Sequence, residues 1–190
     1  MPTKKYQKVV ENVKEKPVFG VDDLIKKGVP RKYAKTMLYR LKNRGEIFKV
    51  ERNKYTTQEN PLIIAPHLTY PSYLSLWTSL RFHRKTQQSP FGVEVVTSRP
   101  RYNRKLEFKE TKIQFHKVKP EMMFGYVYEV YEDYRIPIAS PEKAIVDGIY
   151  LDAIPLKEVK ETIPKLEKKK LMDYAARAGV KINKLKEVIA

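Results

Sequence analysis

The stretch RKYAKTMLYRLKNR, residues 31–44, decides the fold of the first part of the chain. Ala34, Leu38 and Leu41 recur at spacings of four and three residues, which places them on one face of a helix. Gly45 follows, and glycine commonly ends helices. The opposite face carries basic and hydrogen-bonding side chains: Lys32, Thr36, Tyr39 and Asn43, flanked by Lys35 and Arg40. We therefore predict a helix with one buried face and one basic face.

Two shorter helices precede this helix, and a hairpin follows it. The first is indicated by apolar residues at helical spacing before Pro17: Tyr6, Val9, Val10 and Val13. The second is indicated by an apolar group that Gly28 ends: Phe19, Val21, Leu24 and Ile25. Residues 47–57 read as two short strands around a polar turn at residues 51–53. This order of elements is that of a winged helix-turn-helix, which we predict for residues 1–58.

The composition changes near residue 60, where Pro61, Pro66 and Pro71 punctuate the chain. We predict a domain boundary there and a second domain over residues 61–190. Strands are indicated by four alternating groups: Val93, Val95 and Thr97; Ile113, Phe115 and Lys117; Tyr126, Tyr128, Val130 and Tyr131; Ile136 and Ile138. The predicted fold class is α+β, a winged helix-turn-helix followed by a mixed domain with a mostly antiparallel sheet and C-terminal helices.

Three helical regions accompany these strands. Ser72 is the predicted N-cap of a helix that carries Leu74, Trp77 and Leu80. Ser140 is the predicted N-cap of a second helix, with Pro141 at its first position and Glu142 in its first turn. From Leu156 onwards the chain is predicted to be helical, with breaks at Pro164 and Gly179.

The chain of 190 residues has a formal net charge of +17, and this charge is unevenly distributed. Residues 1–58 carry 16 Lys and Arg against 6 Asp and Glu, a net charge of +10. Residues 59–155 have a net charge of +2, and residues 156–190 have a net charge of +5. A basic module attached to a more neutral domain is typical of proteins that bind nucleic acid. The alternative is a heat-adapted surface, because Lys and Glu are both abundant.

The candidate DNA-binding residues lie on the predicted third helix and on the hairpin. Recognition helices of this motif present their first turns to base edges, and wing residues contact phosphate or the minor groove. The groove-facing candidates are Arg31, Lys32, Lys35, Thr36 and Arg40, and the wing candidates are Lys49, Arg52 and Lys54.

The sequence gives little support for an enzyme. With no cysteine there is no thiol nucleophile and no Cys-based metal site, and the three histidines are not at metal-ligand spacing. Glu107-Phe108-Lys109 and Glu110-Thr111-Lys112 match half of a metal-dependent nuclease signature, but no Asp occurs between Asp23 and Asp133 to complete it, and only Glu94 could substitute. Glu142 and Asp147 are assigned to a helix start and a helix surface. We expect no catalytic residues, no metal and no cofactor.

The chain resembles the AbiEi family of antitoxins and transcriptional regulators. The resemblance combines the predicted winged helix-turn-helix with five later motifs: Pro71 to Leu80 (PSYLSLWTSL), Thr86 to Pro90 (TQQSP), Val95-Val96-Thr97, Phe124-Gly125 and Ile138 to Asp147 (IASPEKAIVD). It implies an N-terminal domain that binds inverted repeats in its own promoter and a C-terminal domain needed for antitoxin action. It also implies a nucleotidyltransferase toxin, countered without a stable complex, in a type IV toxin–antitoxin system.

Two alternatives remain open at this point: a divalent-metal-dependent nuclease delivered to DNA by its winged helix, and a basic RNA-binding protein. No apolar run approaches the roughly eighteen residues of a membrane span, so no membrane partner is expected. The lack of cysteine fits a reducing cytoplasm, where we expect the protein to act.

Overall fold

A computed structural model describes residues 4–88 and 92–180. The chain divides into two compact units, one ending at Leu68 and the other beginning at Thr69. Two parts of the sequence interpretation lie outside the described residues: Ser89-Pro90 of the TQQSP motif and the helical continuation beyond residue 180.

The first unit begins with the three predicted helices: α1 at Lys4–Lys14, α2 at Val21–Lys26 and α3 at Arg31–Asn43. Their core contains apolar residues that the sequence placed on helix faces, Val10, Val13, Leu24, Ala34, Leu38 and Leu41, together with Met37. Gly28 follows α2 and Gly45 follows α3, with positive φ values of 85° and 73°. This left-handed backbone conformation ends each helix.

A hairpin of β1 at Phe48–Glu51 and β2 at Lys54–Thr56 follows. Its turn is shorter than the sequence indicated, because Glu51 pairs with Lys54 as part of the ladder. Phe19 adds a bridge to Tyr55, with N–H to carbonyl distances of 2.9 Å and 2.8 Å in the two directions. A short helix α4 at Pro61–Ile64, with Asn60 as its N-cap, completes the unit with a 3-10 turn at residues 65–67.

The second unit contains a six-stranded sheet in the order β5-β6-β4-β3-β8-β7. The strands are β3 at Ser72–Leu74, β4 at Gly92–Thr97, β5 at Lys105–Phe108, β6 at Thr111–Lys117, β7 at Tyr126–Tyr131 and β8 at Tyr134–Ala139. Pairs β3–β4, β5–β6 and β7–β8 are antiparallel, while β4–β6 and β3–β8 are parallel. The sheet is therefore mixed.

The predicted N-cap at Ser72 is wrong. Residues 72–74 form β3, and all three are buried in the middle of the sheet. The N-cap residue is instead Ser75, with extended backbone, and the helix α5 spans Leu76–Phe82. A strand that pairs on both edges can satisfy its backbone groups there, which explains why a serine within it does not start a helix.

Three further helices follow, α6 at Pro141–Tyr150, α7 at Leu156–Thr162 and α8 at Lys168–Arg177. The Ser140 cap is confirmed, since its side chain accepts the backbone N–H of Lys143. The predicted breaks are present as a 3-10 turn that contains Pro164 and as a positive φ of 65° at Gly179. Helices α5, α6 and α8 contribute residues to one apolar cluster. The sheet contributes Tyr73, Val96 and Ala139 to the same cluster.

Candidate nucleic-acid interface

The exposed face of α3 carries the predicted groove-facing residues. Helix α3 buries Ala34, Met37, Leu38 and Leu41, which fixes its rotation about its own axis. The side chains on its other face are exposed: Arg31, Lys32, Lys35, Thr36, Tyr39 and Arg40. All five groove-facing candidates therefore lie on one continuous helix surface, together with a tyrosine that is 62% exposed.

The polar contacts of this face are few and weak. One nitrogen of Arg31 lies 3.5 Å from Asp22, but both side chains are more than 60% exposed, so the pair is screened by water. The Thr36 hydroxyl donates to the Lys32 carbonyl at 3.1 Å, within the helix itself. Most of the cationic groups of this face are therefore available to an anionic ligand.

The three wing candidates differ in their surroundings. Lys49 and Arg52 are exposed on the hairpin. Lys54 is half-buried, because its ammonium lies 2.8 Å from the Glu51 carboxylate and donates to the Leu68 carbonyl. An interaction of Lys54 with DNA would compete with both contacts, so Lys49 and Arg52 are the better placed cations.

The tip of the hairpin is fastened to the start of α2. The Asn53 side chain accepts the Val21 N–H at 2.9 Å, and the Asn53 backbone has the left-handed φ of 59°. Gly20 allows this approach, since a Cβ at this position would overlap the backbone oxygen of Asn53. Sequence reasoning missed this contact, although an Asn in a tight turn is a familiar source of side-chain acceptors.

A surface contact links α1 to the residues that follow α3. The Lys14 ammonium donates to the Glu46 carboxylate at 2.8 Å, and this hydrogen bond lowers the pKa of Glu46 against the opposing effect of desolvation. Arg44 lies 3.8 Å from the same carboxylate. These contacts hold the C-terminal end of α3 against the first helix.

The second unit contains a buried polar cluster that the sequence interpretation placed at a helix surface. Lys143 and Asp147 are fully buried and form an ion pair one turn apart on α6. Ser75 and Tyr73 donate hydroxyl hydrogen bonds to Asp147 at 2.7 Å and 3.0 Å. The Lys143 ammonium also lies 4.6 Å from the centre of the Phe124 ring. The expectation of a surface role for Asp147 is therefore wrong.

Burial opposes charge on every member of this cluster. It raises the pKa of the Asp147 carboxyl and lowers that of the Lys143 ammonium, while the attraction between the two groups acts in the opposite direction. Burial and the neighbouring carboxylate raise the pKa of Tyr73. The cluster is closed to solvent, so it joins the sheet to α6 and offers no access to a substrate.

Glu142 is also buried and links α6 to α8. Burial opposes its ionisation, but hydrogen bonds from its own backbone N–H and from the N–H of Glu167, together with the nearby Lys170 ammonium, outweigh burial and hold the pKa of Glu142 below its ordinary value. The Glu167 N–H donates to Oε1 at 3.3 Å, and the Lys170 ammonium lies 3.2 Å from Oε2. Its predicted place at the helix start is confirmed by α6, which begins at Pro141.

The residues of the possible nuclease signature do not converge. Glu107 is exposed on β5 opposite Lys112, and Lys109 and Glu110 form the turn between β5 and β6. Glu94 accepts the Trp77 N–H at 3.1 Å and lies 3.4 Å from His116. Across residues 4–88 and 92–180, no three His, Asp or Glu side chains are grouped to hold a metal ion.

Residues 7–58 match a family model described as "Transcriptional regulator, AbiEi antitoxin". The matched region contains most of α1, all of α2, α3 and the hairpin, and every candidate DNA-binding residue. The match confirms the AbiEi resemblance for this region, and the resemblance of the later motifs stays a prediction. Comparison with curated proteins gave no match. No helix in the described part of the chain is long and apolar enough to cross a membrane.

Proposed function

We propose that residues 1–58 form a winged helix-turn-helix that binds duplex DNA, and that the protein is a transcriptional regulator acting as an antitoxin. The observation that carries this proposal is the match of residues 7–58 to an AbiEi transcriptional regulator, in the region that has a basic exposed helix face. A regulator of this class acts by binding and needs no catalytic group.

Helix α3 is the proposed recognition helix. It is 13 residues long, and the major groove of B-DNA is wide enough to admit a helix of this kind. Lys32, Lys35 and Thr36 lie on the exposed face of its first half, where they would meet base edges. Lysine donates to guanine acceptors and threonine can contact either base type or a thymine methyl group, so these side chains would contribute to sequence choice.

The hairpin is the proposed wing. Lys49 and Arg52 would contact phosphate, which sets position and affinity but carries no sequence information. Two contacts support this role because they hold the hairpin against the helices. One is the hydrogen bond from the Val21 N–H to the Asn53 side chain, and the other is the β-bridge between Phe19 and Tyr55. A wing held in this way loses less conformational entropy on binding.

The family match of residues 7–58 supports a regulatory role. We propose that the binding site is an inverted repeat in the protein's own promoter and that binding represses transcription. We further propose that the second unit, which lies within the predicted domain of residues 61–190, opposes a nucleotidyltransferase toxin without forming a stable complex with it. The buried cluster around Asp147 gives that unit a rigid core, so a toxin-opposing surface would lie elsewhere on it.

The proposal is tested by fluorescence anisotropy with the full-length protein and the DNA directly upstream of its own gene. We expect Lys32→Ala and Thr36→Ala to reduce the ratio of specific to non-specific affinity, by about tenfold for one lost base contact. Lys49→Ala should weaken all duplexes alike. The matched control is Lys8→Ala, which removes an exposed lysine of α1, outside both α3 and the hairpin.

Two results would contradict the proposal. Equal affinity for the upstream DNA and for a scrambled duplex would contradict sequence-specific binding. Loss of specificity from Lys49→Ala but not from Lys32→Ala would mean that the wing, and not α3, reads the bases.

A further inference from the structure

The near-neutral charge of residues 59–155 conceals a strong local separation of charge. Residues 99–119 carry eight Lys and Arg against two Glu, a net charge of +6. The rest of residues 59–155 carries five against nine, a net charge of −4. No Asp or Glu occurs in residues 95–106 or 111–120, so the cations there have no acidic neighbour in sequence.

The sheet topology brings much of this charge to one end of the second unit. Strands β4 and β6 are parallel and end together, with Thr97 beside Lys117. Strand β3 starts at the same end, because Ser72 pairs with Thr97. The loop before β3 therefore lies beside the loop that joins β4 to β5. We define the arginine–tyrosine patch as the exposed or half-buried residues at this end: Tyr70, Arg99, Arg101, Tyr102, Arg104 and Lys117.

The two loops of the patch are held in place by specific contacts. The Arg99 side chain donates to the Tyr70 carbonyl at 3.3 Å, and the Thr97 hydroxyl donates to the Pro71 carbonyl at 2.6 Å. The Arg101 guanidinium lies 3.9 Å from the centre of the Phe115 ring, which is buried. These contacts tie the loop before β3 to the loop after β4 and hold the Arg101 side chain against the sheet.

Two tyrosine rings stand out of this basic surface. Tyr70 is 79% exposed, and Tyr102 is fully exposed at 102%. A single exposed tyrosine is ordinary, but two of them among four cations form the combination used to hold unstacked bases. In modules of this kind, the aromatic rings stack on base faces and the cations contact the phosphates.

We propose that the arginine–tyrosine patch binds single-stranded nucleic acid. A duplex does not suit this surface, because its base faces are already stacked and the patch presents two loops instead of a helix or ribbon that could enter a groove. A single strand offers an open base face to each ring. This inference is independent of the proposed role of α3, which lies in the other unit.

The test uses fluorescence anisotropy with three labelled probes of about a dozen nucleotides, a length within the range bound by compact single-strand modules. The probes are oligo(U), oligo(dT) and a blunt-ended duplex of mixed sequence. The protein is the full chain carrying Lys32→Ala and Lys35→Ala, so that duplex binding through α3 is weakened. We expect both single strands to bind more tightly than the duplex. Tighter binding of oligo(U) than of oligo(dT) would identify RNA as the preferred form, and equal binding would indicate recognition by stacking and phosphate alone.

Substitution of Tyr102 tests the stacking contribution directly. Tyr102→Ala should weaken single-strand binding by about tenfold, and Tyr102→Phe should retain most of the affinity, since the ring is kept. Tyr128→Ala is the matched control, because Tyr128 is 53% exposed on β7, at the far edge of the sheet. Wild-type affinity for Tyr102→Ala, or equal binding of the duplex in this background, would overturn the proposal.

Paired charge removals test the phosphate contribution. Arg104→Ala with Lys117→Ala should reduce the slope of log affinity against log salt by about 1.4 for a single strand, at about 0.7 per phosphate contact. Lys157→Ala with Lys160→Ala removes the same charge from the exposed face of α7 and should leave the slope unchanged. An equal effect of both pairs would indicate non-specific attraction to the whole unit and would overturn the assignment to the patch.

Discussion

Gly20 lies where the backbone of the hairpin turn meets the start of α2. Its φ of −153° is open to any residue, so the requirement for glycine comes from the approach of the Asn53 backbone and not from the conformation of Gly20. Because a backbone oxygen cannot rotate away as a side chain does, an added methyl group would have to separate the hairpin from the helix.

We expect Gly20→Ala to destabilise the first unit by about 2–3 kcal/mol through this overlap. Gly45→Ala is the matched control: no atom lies within 4 Å of its added Cβ, so only the left-handed φ of 73° is unfavourable, at about 1 kcal/mol. Amide hydrogen exchange of the α3 residues measures both effects in the same unit. A smaller effect for Gly20→Ala than for Gly45→Ala would mean that the hairpin is not packed closely here.

The buried ion pair of Lys143 with Asp147 gives a second prediction for single residues. Asp147→Ala leaves a buried ammonium without its partner and two hydroxyls without their acceptor, so we expect a loss of about 3–5 kcal/mol. The double variant Lys143→Met with Asp147→Leu removes both charges and should lose less unfolding free energy than Asp147→Ala. Urea unfolding followed by the fluorescence of Trp77, the sole tryptophan, reports on this unit. A double variant less stable than Asp147→Ala would show that the ammonium is not the source of the loss.

At the scale of elements, α1 to α3 were predictable because helical periodicity is a local property of the sequence. The buried stripe of α3 also set the exposed face, so all five groove-facing candidates could be named in advance. The strand β3 was not predictable: its three residues are all buried, so they show no alternation, and Ser72 resembles a cap. The role of Asp147 was missed, although a Lys and an Asp one turn apart in an otherwise apolar helix were a usable signal.

The packing of α6 against α8 predicts a pH dependence. The folded state holds the pKa of Glu142 below its ordinary value near 4.5, so its contribution to stability is present above that pH and is lost as the pH falls through the lower, folded value. We expect wild-type protein to exceed Glu142→Gln in unfolding free energy at pH 7 and the difference to shrink below about pH 4.5. Urea titrations at several pH values measure it. Glu121→Gln, an exposed residue, is the control, and a difference that grows on acidification would contradict the assignment.

At the scale of the whole molecule, charge is divided between two surfaces that the average net charge does not distinguish. The sum of +17 indicated an acidic partner, and residues 1–58 accounted for +10 of it. The patch on the second unit escaped the sequence interpretation because neighbouring acidic residues cancelled it within residues 59–155. Arg99, Arg101 and Arg104 lie close together in sequence, and the pairing of β4 with β6 and β3 adds Lys117 and Tyr70 to them.

The salt dependence of duplex binding should reflect the first unit. If about five phosphates are neutralised by α3 and the wing, log affinity should fall with log salt at a slope of about −4 to −5. Arg104→Ala with Lys117→Ala should leave this slope unchanged for duplex DNA while reducing it for a single strand. Anisotropy titrations over a range of salt measure both slopes, and a duplex slope near zero would exclude phosphate contact by α3.

The position of β3 in the sheet affects the order in which the two units fold during synthesis. Leu74 pairs with Val95 on one side but with Ile138 on the other, and β8 is therefore required before the middle of the sheet is complete. The first unit is built largely from contacts between neighbouring helices, which form quickly. During synthesis, we expect residues 4–56 to fold while the strands of the second unit still wait for their last central partner. In that interval the basic helix face exists before the rest of the protein, and the unfinished sheet is the part most exposed to misassembly.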